Sequence, residues 1–146
     1  MLRFPRERPL LVGVVHLLAT PGAPRFAGDL DAVLFRAVED ARALAQGGCD
    51  ALIVENLGDV PFFARRVPPE TVAAMTLALS RVGEAVPSLQ LGVNVLRNDA
   101  RSGLGLCAAT SAGFLRVNVH TGVAVGDQGL LVGRAAHTLR TRARLC

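Results

Sequence analysis

The 146-residue sequence contains no tryptophan, no tyrosine and no lysine. The missing lysine leaves all sixteen basic residues as arginine, so the net charge of +4 reads as a compositional bias rather than a built nucleic-acid surface. With only phenylalanine as an aromatic, the basic positions Arg134, Arg140, Arg142 and Arg144 lack the interleaved stacking platforms that single-stranded nucleic acid needs. They are read as the solvated face of a last helix, and no nucleic-acid partner is expected.

Cysteine is also scarce. Cys49, Cys107 and Cys146 are odd in number and widely spaced, with no CxxC pair. That excludes a disulfide framework and a cysteine zinc site. Cys49 and Cys107 read as small core residues, and Cys146 as incidental. No uncharged apolar run reaches the roughly 18 residues of a membrane-spanning helix. The start, "MLRFPRERPLLVGVVHLLATPGA", has the basic-then-apolar order of a secretory signal. Glu7, Pro9 and His16 interrupt that pattern, and a first β-strand is the better reading. With no address or anchor motif, the cytoplasm is the expected location.

What is present is a well-stocked core. Half the residues are hydrophobic, 19% are charged, and the mean hydropathy is +0.39. One domain covering residues 1–146 is expected, with apolar surface to spare for a partner. Four Val/Leu/Ile-rich runs read as strands: 10–16, 51–55, 89–96 and 114–120. Each is followed by turn residues and a helical pattern. The helices are expected at 29–46, from Pro69-Glu70 to before Pro87, at 99–112 and at 130–145. Asp29 or Asp31 can cap the first, and Gly47-Gly48 can end it. Gly103 and Gly105 weaken the third.

The order β-α-β-α-β-α-β-α implies a parallel α/β sheet with right-handed crossovers. Alternation along the strands separates the two available architectures. Asn94 shares a face with Gln90 and Gly92, and Glu55 with Ala51 and Ile53. In the last run Arg116, Asn118 and His120 share a face opposite Leu115, Val117 and Val119. A doubly wound sheet is apolar on both faces. One apolar face and one that turns polar toward the strand ends is instead the pattern of a (β/α)8 TIM barrel, whose sites lie at the C-terminal mouth. Such a barrel needs eight strands and about 250 residues. Four βα units therefore predict a half-barrel.

The mouth gathers His16, Glu55, Asn56, Asp59, Asn94, Arg97, Asn98, Asp99, Arg116, Asn118, His120 and Asp127. His16, Glu55 and His120 are the candidate catalytic groups, and the other nine are candidate ligand-binding groups. Each has a structural alternative. Glu55 and Arg116 can neutralise one another. The asparagines can satisfy loop backbone, and Asp99 can cap the third helix. His137 is read as a surface residue. His16, His120 and a carboxylate could in geometry hold a metal, but no close-spaced ligand pair supports one, so none is assigned. The "HTGVAVGDQG" stretch matches neither a dinucleotide fingerprint nor a P-loop. No cofactor is identified.

Read in order, "GVVHLLATPGAPRF", "GGCDALIVENLGDVPF", "VAAMT", "GVNVLRNDA", "FLRVNVHTG" and "DQGLLVG" resemble the BtpA/SgcQ family over nearly the whole chain. The resemblance implies a TIM barrel of the ribulose-phosphate-binding kind. It also implies a chain nearly twice this length, so a truncated half is expected. Two functions follow as expectations. One is a small polar or phosphorylated ligand site at the mouth, of unknown reaction. The other is a non-catalytic assembly factor of the photosystem I biogenesis kind, with an inactive half-barrel as a third possibility. Two open sheet edges further predict homo-oligomerisation or a partner half.

Overall fold

In the structure, a computed structural model, residues 8–145 are described. The signal-like basic start at residues 1–7 and Cys146 lie outside them. Four parallel strands, β1 (Val12–His16), β2 (Ala51–Glu55), β3 (Gln90–Asn94) and β4 (Ala112–Leu115), form one sheet in chain order. Between them run α1 (Leu30–Gln46), α2 (Pro69–Ala85) and α3 (Ala100–Ala109). Neighbouring helices pack on one another, α1 against α2 and α2 against α3. The protein is thus an α/β protein of alternating strands and helices, consistent with part of a barrel.

Local chemistry explains the helices. Asp29 caps α1 by accepting from Ala32 N at 3.0 Å, and Val33, Ala37 and Ala41 form its buried stripe. Pro69 opens α2, where its missing N–H costs nothing. Asp99 caps α3 through Ser102 N at 3.0 Å. Gly103 does not break α3. A Cβ there would fall 2.4 Å from Leu115 Cδ1, so the glycine lets the helix lie close on β4.

The core sits on one face of the sheet. Val15, Leu52, Val54, Leu91 and Val93 join Met75, Leu79, Val82 and Leu106 in a single buried cluster. Each such side chain contributes about 1.5–3 kcal/mol on burial. The opposite face carries Val14, Ile53 and Gly92 in register, and beyond them His16, Glu55 and Asn94. Phe114 pairs with Gly92, and a Cβ at Gly92 would meet its ring at 2.2 Å.

Two expectations fail. The fourth strand is not 114–120 but Ala112–Leu115. Its register against β3 slips between Leu91 and Gly92, and after Arg116 N donates to Val93 O (3.0 Å) the ladder has run out. Asn98 then holds the chain, donating to Val119 O at 3.0 Å and accepting from Val119 N at 2.9 Å. The last helix does not begin at 130. Residues 123–132 form an antiparallel hairpin of β5 (Val123–Gly126) and β6 (Gly129–Val132), and α4 covers Ala135–Leu145. "VAVG" and "GLLV" flank Asp127-Gln128, and Gly129 takes φ +92 where the chain turns between them.

No described helix is long and apolar enough to cross a membrane.

Candidate functional site

Parallel pairing sets His16 beside Glu55 and Glu55 beside Asn94, one row across three strand ends. Glu55 is the centre of that row, its side chain only 6% exposed. Its Oε2 accepts from Asn94 Nδ2 at 2.6 Å and from Arg116 NH1 at 3.2 Å. Asn94 Nδ2 also donates to Asn118 Oδ1 at 3.0 Å. Residues 116–118 therefore reach the row from a loop rather than from a strand face. Glu55 Oε1 accepts no hydrogen bond among the described residues, and His16 Nε2 lies 3.7 Å from it. The side chains of His16 and Arg116 are each 51% exposed, so the carboxylate is buried while the imidazole and the guanidinium face the open side. A buried carboxylate with one occupied and one open oxygen, beside an accessible imidazole, can exchange a proton or orient a polar ligand.

A second group lies behind the first. Asn56 accepts from Leu96 N at 2.7 Å and donates to Asp59 Oδ2 at 3.0 Å. Asp59 takes Thr20 N at 2.7 Å and Thr20 Oγ1 at 2.9 Å. These bonds tie the three loops that follow β1, β2 and β3. Asp99 joins them, accepting from Val67 N at 3.1 Å as well as capping α3. Arg97 N bonds Phe63 O at 3.2 Å, and its guanidinium lies 5.6 Å from the Phe62 ring centre.

The twelve candidate residues thus divide. His16, Glu55, Asn94, Arg116 and Asn118 meet in one network. Asn56, Asp59, Asn98 and Asp99 hold loop backbone, and Arg97 clasps one loop to another. His120 makes no side-chain hydrogen bond among the described residues. Asp127 lies exposed at the hairpin turn, bonded to Gln128. Among the described residues no three His, Cys, Asp or Glu side chains are grouped as metal ligands would be. Thr20 and Thr71, both buried, were not among the candidates. Only the turn signal "TPG" after β1 and the helix start "PPET" mark their places.

A polar row at the carboxyl ends of parallel strands, with helices packed on the other face, defines an α/β protein with a polar cluster at its strand ends. The chain belongs to the BtpA family, whose model matches residues 6–146. It is 50% identical over 142 residues to the photosystem I biogenesis protein BtpA of Synechocystis sp., covering 97% of this chain and 49% of that protein. An uncharacterised protein of Archaeoglobus fulgidus is 49% identical over 89% of this chain and 52% of its own length. An uncharacterised mitochondrial protein of Caenorhabditis elegans is 31% identical over 95% and 52%. The chain spans about half the length of these curated relatives. No solved structure matches it.

Proposed function

We propose that the Glu55 row is a ligand site at the C-terminal mouth of a partial (β/α)8 barrel, taking a small polar or phosphorylated metabolite. The barrel reading rests on strands paired in chain order, helices on one face and a polar row on the other. The ligand reading rests on one observation above the rest: Glu55 Oε1 accepts no hydrogen bond among the described residues and has His16 Nε2 3.7 Å away, although the side chain is only 6% exposed. In this role His16 and Glu55 share the proton work. Arg116 and Asn118 orient an anionic or hydroxylated substrate, and His120 closes the rim. Sugar phosphates then raise the melting temperature, and Glu55→Gln combined with Arg116→Met removes the rise. A panel of sugar phosphates that leaves the melting temperature of the unaltered chain unmoved overturns the reading.

A second reading, a non-catalytic assembly factor, is favoured by the 50% identity to the Synechocystis protein named for photosystem I biogenesis. Replacement of the corresponding half of that protein by this chain, with photosystem I content as readout, separates the two. Rescue by a Glu55→Gln chain favours assembly over chemistry.

The exposed edges of β1 and β4 and the apolar hairpin face support self-association or a partner half. Light scattering tests this, and a stable monomer at high concentration sinks it.

A further inference from the structure

Away from the Glu55 row, a cavity of about 310 Å³ lies between the loops after β1 and β2 and the first turn of α2. Pro24, Pro61, Phe62, Phe63 and Leu96 give it apolar walls. Asn56 and Asp59 also reach it, but the Asn56 amide is already bonded to Asp59 and Asp59 to Thr20. Both are engaged in holding the loops, with only the second N–H of the Asn56 amide left unassigned.

One end is different. Thr71 lines the cavity and is only 4% exposed, yet its hydroxyl has no hydrogen-bond partner among the described residues. The hydroxyl is not sealed off from the cavity, so it stands open to a ligand's oxygen while the rest of the side chain is buried. The helix start around it is also open. α1 and α3 are capped by Asp29 and Asp99, but the residue before α2 is Pro68, whose side chain makes no cap bond. The amides of Glu70 and Thr71 have no acceptor among the described residues. These two N–H groups and the Thr71 hydroxyl lie in the first turn, at the positive end of a 17-residue helix, and Thr71 lines the cavity.

The surrounding charge leans the same way. Arg97 sits over the Phe62 ring without a carboxylate partner among the described residues, and Arg65 and Arg66 are exposed in the same loop. The opposing acids are Asp59, already holding three donors, and the exposed Glu70, whose carboxylate lies beside Gly22.

We propose that this cavity binds a small molecule with an aromatic or apolar body and one anionic oxygen group. The anion accepts from Glu70 N–H, Thr71 N–H and Thr71 Oγ1, and the body packs on Phe62 and Phe63. This does not rest on the Glu55 reading, and either can fail alone.

The test is amide NMR on the whole chain, titrated with phenyl phosphate, phenylacetate, inorganic phosphate and benzyl alcohol. The first two distinguish a phosphate from a carboxylate head. At least one is expected to move the Glu70 and Thr71 amide resonances and to bind about tenfold tighter than benzyl alcohol. Thr71→Val is expected to weaken that binding about tenfold, and Thr71→Ser to retain it. Benzyl alcohol binding as tightly as both anions overturns the proposal. So do Glu70 and Thr71 resonances that move with neither anion, or Thr71→Val binding as the unaltered chain does. If Thr71→Val does not fold, the amide shifts of the unaltered chain decide alone.

Discussion

Asn94 Nδ2 donates to Glu55 Oε2 at 2.6 Å, between two residues that are also partners in the β2–β3 register. The parallel ladder therefore fixes the geometry of the polar row directly. Any change that shifts β3 by one residue would turn Asn94 toward the helices and leave Glu55 with Arg116 alone.

Glu55→Leu should be destabilising because it orphans a donor of the buried Asn94. The expected loss is about 1–3 kcal/mol in urea denaturation. The Arg116 pair adds little to this, since that side chain is half in solvent and its attraction is screened. Glu55→Gln keeps an acceptor for Asn94 and should lose less than Glu55→Leu.

Asp59→Ala should be worse. It removes the acceptor for Thr20 N, Thr20 Oγ1 and Asn56 Nδ2 in one step, all of them buried. A loss of about 3 kcal/mol is expected, together with faster hydrogen exchange at the Thr20 amide. An Asp59→Ala chain with unaltered stability and exchange would show that the loops are held by other means.

Two glycines should respond oppositely to alanine. A Cβ at Gly58 would fall 2.3 Å from Ala19 N and 2.5 Å from Leu18 C, backbone that cannot step aside. Gly58→Ala is expected to cost about 2 kcal/mol or more. Gly105 lies in α3 with nothing within 4 Å of its Cβ position. Gly105→Ala should stabilise by about 0.5–1 kcal/mol, read as a higher melting temperature.

Much of this architecture was legible in the residues. Val15, Val54 and Val93 alternate with His16, Glu55 and Asn94, because side chains alternate faces along a strand and the core covers one face here. The caps Asp29 and Asp99 were equally visible, since short acceptors before helical stripes have one common use. The hairpin was not. "GLLVGRAAHTLR" carries apolar and small residues compatible with either period, and the decision came from Gly122 O accepting from Gly133 N across the closing strands. Asn118 lies beyond the end of β4 and not on a strand face, yet it reaches Asn94 from the loop. Thr71 could not be found at all, because an unpaired hydroxyl is a property of packing and no local pattern encodes it.

The hairpin presents Val123, Val125, Leu130 and Val132 on one face, with Val125 82% exposed and Leu131 buried beneath. Val125→Thr with Leu130→Thr should leave stability within about 0.5 kcal/mol, since neither side chain is in the core. The same pair should raise the concentration at which the chain begins to associate, measured by light scattering. Unchanged association would assign any self-contact to the β1 and β4 edges instead.

Asp50 gives the molecule a titration of known sign. Arg8 donates to its carboxylate, with NH1 at 2.8 Å from Oδ2, and Leu11 N adds a bond at 2.9 Å. The Arg8 hydrogen bond is the larger cause and the Leu11 amide the next, and together they hold the carboxyl below its ordinary value of 3.8. A carboxylate depressed in the folded state binds protons more readily once unfolded. Its contribution is therefore complete above the ordinary value and is lost as pH falls through the folded one. Because the Arg8 side chain is more than half in solvent, salt should reduce the Arg8 part and leave the Leu11 part. Carboxyl-carbon NMR titration checks this directly. Arg8→Ala should move the Asp50 midpoint upward but not fully to 3.8, and Asp50→Asn should flatten this part of the acid limb of stability. A midpoint that Arg8→Ala does not move would place the anchor in the Leu11 amide, the bond that ties the chain before β2 to the chain before β1.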